Sequence, residues 1–331
     1  MRLILVVLLS ILSVNISAKT SDLSVDEVVA SDYQDKELFS SWQGIEPDKW
    51  ATVWLIKRYL SPDSAFTFVP PGTSLPENSV HFGVSSSPLK RSNRQAMFHH
   101  LVSASNLQQP EVLELDKVIY DLEVNIWDTP DHPHAAWIEA LYRQLQDRYR
   151  RDRVPVDCYL SFFDGVAEII VNNEATAQQY EERLSLKDSC PGLQEKKSEF
   201  VGQIGHLELL RKISLGEKVV FIDTREQEEF NELHLPGAKK ISLREVNAES
   251  VAQLKDADLI VPYCIKDFRG FEVAKAIKLN GGDKVATLSP NGLKGWLNAK
   301  LPVANSKIPE QEAKQQLLLC SMEPQKCIKG D

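Results

Sequence analysis

The sequence predicts an α/β protein. Its C-terminal half is a parallel sheet flanked by helices, preceded by a mixed, mainly helical α+β domain. Three observations lead there. Between 219 and 297, short β-rich runs alternate with helical patterns, an order that builds a parallel sheet with helices on both faces. The apolar run 258–263 is too short for a helix and reads as a buried strand. In the first half, 134–151 places Ala135, Leu141, Leu145 and Tyr149 on one face with Trp137 beside it, an amphipathic helix.

The elements follow in order. Met1 and Arg2 precede an apolar run from Leu3 to Val14, small Ala18 and polar Lys19, the order of a secretory signal over 1–18. As a helix that run spans only about 20 Å, short of a hydrocarbon core of ~30 Å. The expectation is an exported protein, periplasmic or secreted, with no stable membrane insertion after cleavage. A first domain then covers 19–184. It opens with a polar stretch holding a short helix at 24–31, which Ser24 can cap with Glu27 in the box position. Pro47 starts a firmer helix carrying Trp50, Val53 and Trp54, and Ser61-Pro62 ends it. A strand at 65–69 stops at Pro70-Pro71-Gly72. Helices are predicted at 96–104, 112–122, 134–151 and 173–184, and strands at 156–163 and 167–171. Charged residues around Pro191-Gly192 make 185–200 a linker. The second domain, 201–304, carries strands at 219–223, 259–263 and 285–288 and helices at 226–232, 271–279 and 293–297. A tail, 305–331, holds an amphipathic stretch at 310–319 and a cysteine pair.

The net charge of −9 removes the basic face that nonspecific nucleic-acid binding needs. Five cysteines in an exported chain favour disulfides. With Cys264 set aside, four remain, and they allow three pairings. We expect Cys320 with Cys327, close together in a tail without its own core, and Cys158 with Cys190. A buried thiol at Cys158 is the alternative.

Cys264 ends the 258–263 strand, and a helix pattern begins a few residues on. Backbone N–H groups converge there and the helix dipole is positive. With Lys266 and Arg269 close by, this field favours the thiolate, the nucleophilic form. The geometry proposes covalent sulfur chemistry.

The flanks of Cys264 carry a family pattern. A strand ends in Asp223-Thr-Arg225. His234-Leu-Pro-Gly-Ala238 follows, then Cys264 and Arg269 with four residues between them. Gly292-Leu-Lys-Gly-Trp296 and Pro302-Val303 complete the order. This resembles the rhodanese family. The resemblance implies a sulfurtransferase in which Cys264 takes sulfur from a small sulfur-containing anion and passes it to a thiol or protein acceptor. The loop residues Ile265, Lys266, Asp267, Phe268, Arg269 and Gly270 would bind the substrate. Lys266 and Arg269 would supply charge, and Phe268 could cover the pocket. No cofactor or metal is implied. A loop with four intervening residues suits sulfur substrates, where related phosphatases and arsenate reductases use one more. The alternatives are a non-catalytic oxyanion- or persulfide-binding protein, or an arsenate- or phosphate-handling enzyme. Asp267 stands where rhodaneses often carry Gly, and it would repel the donor if it pointed inward. Asp223 and Arg225 read better as a pair bracing the loop than as acid and base. His234 reads as a turn residue bonded to backbone.

The stretch from Asp48 to Leu60, with 65–72, resembles the chromate-resistance exported protein family. Lys49, Lys57 and Arg58 would then offer a basic face to chromate or sulfate, or they are ordinary helix charges. The positions where that family carries His and Cys read Pro88-Leu-Lys90, Ala96-Met-Phe98 and Tyr120-Asp121 here. His132 and His134, with Asp128 and Asp131, form either a helix cap region or a metal cluster.

Overall fold

The computed structural model describes residues 28–92, 94–125, 130–149, 151–172, 174–184 and 200–327. Residues 1–18, 185–199 and Cys190 lie outside the described residues. Of the helix expected at 24–31 only the end is described, and Ala30–Asp32 forms a single 3-10 turn.

The first domain is a helical layer over a small parallel sheet. Strand β1 (Leu38–Trp42) lies between β2 (Ala65–Val69) and β3 (Val80–His81), parallel to both. The crossover from β1 to β2 is α1 (Pro47–Leu55), which starts on a proline at its first turn and runs on as a π-helical turn at Ile56–Leu60. Every residue of α1 is buried. It packs against α2 (Met97–Ser105), α3 (Pro110–Glu123) and α5 (Val156–Ile170). Between the last two runs α4 (Ala135–Arg148), and α6 (Ala177–Arg183) follows. Trp50 stacks on Tyr159 at 4.1 Å, joining α1 to α5.

Helix α5 corrects the two strands expected at 156–163 and 167–171. Val156, Cys158, Leu160 and Phe162, with Asp157 and Ser161 between them, imitate strand alternation. Of the eight buried residues, Cys158, Tyr159, Phe162, Phe163, Val166 and Ile170 recur at spacings of three and four and mark one helical face.

In the second domain, the strands are β4 (Gly202–Gly205), β5 (Val219–Asp223), β6 (Leu233–His234), β7 (Lys239–Lys240), β8 (Leu259–Tyr263), β9 (Ala286–Ser289) and β10 (Ala304–Asn305). The helices are α7 (His206–Ser214), α8 (Gln227–Glu232), α9 (Ala248–Ala252), α10 (Phe268–Leu279), α11 (Gly292–Asn298), α12 (Glu310–Met322) and the short α13 (Pro324–Cys327). β5 pairs in parallel with β7 and β8, and β4 with β9. A parallel bridge from Ile260 to Val285 joins the two sets, so the expected parallel sheet is present. Short antiparallel β6 and β10 sit apart.

Strand alternation divides this sheet between two cores. Phe221, Leu259, Val261 and Tyr263 face a core built with Leu209, Leu288 and Trp296. Ile222 and Ile260 face the other way, into a core continuous with that of the first domain. Helix α10 adds Phe268, Phe271, Ala274 and Ile277 to that shared core.

Cys320 and Cys327 form the expected disulfide, with Cα atoms 5.5 Å apart. Cys158 is buried in the first turn of α5. Among the described residues, no helix is long and apolar enough to cross a membrane.

Candidate active site

Cys264 leaves the C-terminal end of β8, the edge of a parallel sheet where ligands bind. It is the free cysteine of the described residues and is buried. Of the groups around its sulfur, the charge of Arg269 and the backbone N–H groups of Gly270 and Lys266 favour the thiolate. Burial pushes the thiol up from its ordinary value and Asp267 adds to that, while Arg269 and the two N–H groups act against it. The sequence expectation of a favoured thiolate therefore meets a desolvation cost that exceeds the local field.

The loop's backbone is tied down from within its own domain. The first N–H groups of α11 reach back: Leu293 N donates to the Cys264 carbonyl and Lys294 N to the Ile265 carbonyl, each at 2.9 Å. Such a close approach requires glycine. Gly292 has φ +51°, and a Cβ there would collide with the Cys264 carbonyl oxygen. A Cβ on Gly270 would sit 3.0 Å from the Tyr263 Cα. Trp296 of the same glycine-rich segment donates its indole N–H to the Pro302 carbonyl at 2.9 Å.

Asp223 and Arg225 form a buried ion pair at 2.7 Å, and Arg225 also donates to the Leu233 carbonyl. Thr224, between them, donates its N–H and its hydroxyl to the Tyr263 carbonyl at 3.0 and 3.1 Å. The pair thus braces the residue before Cys264. His234 bonds the Phe230 carbonyl at 2.9 Å and Glu310 of the tail at 3.2 Å.

The outer face of the loop belongs to the first domain. Asp267 has φ +81°, a left-handed conformation that glycine adopts most easily. Its carboxylate points outward, accepting from Arg143 at 2.8 Å and from Arg151 at 3.0 Å. The same Arg143 donates to the Lys266 carbonyl at 2.8 Å and lies over the Phe268 ring at 4.4 Å. Two expectations are corrected here. Lys266 does not face a donor: its ammonium is buried against Glu139 at 2.7 Å and the Asp121 carbonyl at 3.1 Å. Phe268 does not cover a pocket: it is buried edge-on to Tyr142, 6.1 Å between centroids. Arg269 lies 3.6 Å from Glu229, and its charge acts on the Cys264 sulfur.

Sequence reasoning missed Glu139, Arg143 and Arg151. The signal was present. Glu139 and Arg143 lie four apart on the polar side of an amphipathic helix, and Asp267 occupies a position suited to glycine.

A cleft of about 550 Å³ opens between the domains beside Arg269. Thr224, Glu226 and Glu272 line it from the second domain, and Glu46, Lys49 and Arg91 from the first. The basic face expected from the first domain is mostly spent elsewhere. Lys57 donates to the Ser64 carbonyl at 2.7 Å, and Arg58 grips Asp164 with two hydrogen bonds. Lys49 lines the cleft while donating to the Trp42 carbonyl. Asp48 is buried and accepts from the N–H groups of Met97 and Phe98, both at 2.8 Å, capping α2. His132 accepts the His134 N–H at 3.1 Å, as a cap region does, and His134 meets the Tyr180 hydroxyl at 3.0 Å. Asp128 lies outside the described residues. Among the described residues, no group of three or more His, Cys, Asp or Glu is placed to hold a metal ion.

Residues 39–170 match the family described as ChrB, C-terminal domain, and residues 206–299 match the rhodanese-like domain family. Among solved structures, the chain is similar to the BH2092 protein from Bacillus halodurans. That pair is 24% identical over 32% of this chain and 77% of the other, with a TM-score of 0.28. None of the curated proteins matches.

Proposed function

Starting from a chain that carries a ChrB C-terminal domain followed by a rhodanese-like domain, we propose that it is an exported sulfurtransferase in which Cys264 carries a persulfide. The rhodanese-like domain supports a sulfurtransferase-type or related function, and the ChrB domain suggests a part in chromate response. One observation carries the finer reading: Cys264 stands between the C-terminal end of β8 and the first turn of α10, which carries Arg269, whose charge favours the thiolate. Such a cradle stabilises the negative charge of a thiolate or persulfide.

In the first step, the Cys264 thiolate attacks the outer sulfur of thiosulfate or a similar sulfane donor. A new S–S bond forms, the donor's S–S bond breaks, and sulfite leaves with the bonding pair. A thiol acceptor then takes the outer sulfur and returns Cys264 as thiolate. Neither step needs an added oxidant or reductant. The export part of the reading rests on the signal-like order of 1–18, and cell fractionation checks it: recovery of the full chain in the cytoplasm would overturn it.

Intact mass spectrometry after incubation with thiosulfate tests the chemistry. A gain of one sulfur atom on the wild type, absent from Cys264→Ser, is the expected result. The burial of Cys264 favours one other reading, an oxyanion- or persulfide-binding protein. No sulfur gain with thiosulfate and other sulfane donors would select it. Turnover of a chromogenic phosphate ester would instead select phosphate chemistry.

A further inference from the structure

The cleft beside Arg269 contains polar groups that the protein itself leaves unsatisfied. Glu272, one turn beyond Arg269 on α10, is 2% exposed, and neither of its carboxylate oxygens makes a hydrogen bond. Glu46, from the first domain, has a buried Oε2 that makes no hydrogen bond and stands 3.8 Å from the Lys49 ammonium. Arg91 uses both terminal nitrogens on Glu123, at 3.0 Å each, and leaves a buried Nε unpartnered. All three side chains line the same cleft. A buried acceptor or donor without a partner is costly, and a ligand that supplies the partner recovers that cost on binding. Groups of both signs at one site ask for a ligand with both signs.

We propose that this cleft is the acceptor site of the sulfur-transfer reaction and that it takes a zwitterionic thiol, its ammonium on Glu272 and Glu46 and its carboxylate on Arg91. The inference rests on the sulfurtransferase reading. The cleft's size suits a small ligand, and a domain boundary is a common place for one. Val84, Met97 and Val273 supply apolar wall. The floor at Arg269 and Thr224 adjoins the Cys264 loop. Burial pushes the Glu272 carboxyl up to about 7; Glu46 and Asp152 add to that, while Lys275 and Lys49 oppose it. An arriving ammonium would favour its ionised form. The acceptor's thiolate attacks the outer sulfur of the Cys264 persulfide. The S–S bond to Cys264 breaks as the new one forms, and Cys264 leaves as thiolate.

The test compares glutathione, whose γ-glutamyl end carries an ammonium beside a carboxylate, with 2-mercaptoethanol, which is uncharged. The expected result is a KM for glutathione at least about tenfold lower in the wild type, a ratio that collapses toward one in Glu272→Gln and in Glu46→Gln. A wild-type ratio near one, or one unmoved by both substitutions, overturns the proposal. A second arm needs no persulfide: calorimetric binding of S-methylglutathione to the full chain. Binding weakened about tenfold by either substitution supports the site; no binding, or equal binding by all three proteins, overturns it. Should Cys264 take up no sulfur, the sulfurtransferase reading fails by itself, and this arm alone decides whether the cleft holds a zwitterion.

Discussion

The loop at 264–270 has two faces, and different domains hold them. The inner face carries Cys264 and Arg269 and is fixed by its own domain, through α11 and the Asp223–Arg225 pair. The outer face carries Lys266, Asp267 and Phe268 and is fixed by α4 and Arg151 of the first domain. The comparison separates two jobs that look alike in sequence. Of the two cations near Cys264, Arg269 faces the sulfur and Lys266 serves as an anchor. The carboxylate that would repel an anionic donor is turned away and neutralised by two arginines. Asp267 opposes the thiolate less than Arg269 favours it, and it ties the cradle to the first domain.

Breaking each face should give different results. Cys264→Ser removes the nucleophile, so sulfur uptake measured by intact mass should vanish while the fold persists. Next in size, Arg143→Gln with Arg151→Gln strands a buried carboxylate. We expect a loss of about 3–5 kcal/mol in urea unfolding and slower persulfide formation. Adding Asp267→Gly should return most of both, because glycine adopts the left-handed turn without the clamp. If the triple variant is no better than the double, the outer face does not act through Asp267. On the inner face, Gly292→Ala meets both the positive φ and the Cys264 carbonyl, and should cost about 2–4 kcal/mol in the same assay. The smallest change is Lys266→Met. Glu139 keeps Arg143 at 2.9 Å, so stability should fall by only about 1–2 kcal/mol and the rate of sulfur uptake should change less than about twofold. A tenfold slower rate would return Lys266 to the inner face.

The thiol itself gives a pH test. Burial raises its pKa, so the neutral, unreactive form persists above the ordinary cysteine range. The rate of persulfide formation should keep climbing with alkaline pH and level off only above that range. A plateau at or below neutral pH would mean that the cradle outweighs burial.

The parts legible in the sequence were those in which backbone geometry restricts residue type. The β8 strand that presents Cys264 and the glycine at 292 that lets α11 approach it are such parts, whereas the helix expected from Phe271 begins three residues earlier, at Phe268. The outer face was not legible as contact. Arg143 lies 124 residues from Asp267, and Arg151 lies 116 residues away, so no local pattern pairs them. Strand β1 escaped notice because Ser40 and Ser41, polar by composition, are fully buried at its centre. Ser40 shares a hydrogen bond with Ser79 at 2.5 Å, a pairing across 39 residues. Helix α5 was misread because two apolar periods coexist in 156–163, and only packing against α1 selects between them.

The alternation of β5 and β8 between two cores has a consequence for cooperativity. Ile222, Ile260 and the apolar side of α10 lie in the same core as Trp54 and Tyr142. Neither half can melt without exposing the other's interior. Heat or urea should therefore undo the chain in one transition, with tryptophan fluorescence and far-UV dichroism falling together. A fragment cut to 201–304 would present that whole apolar side to water, and would be prone to self-association before it showed any sulfur chemistry.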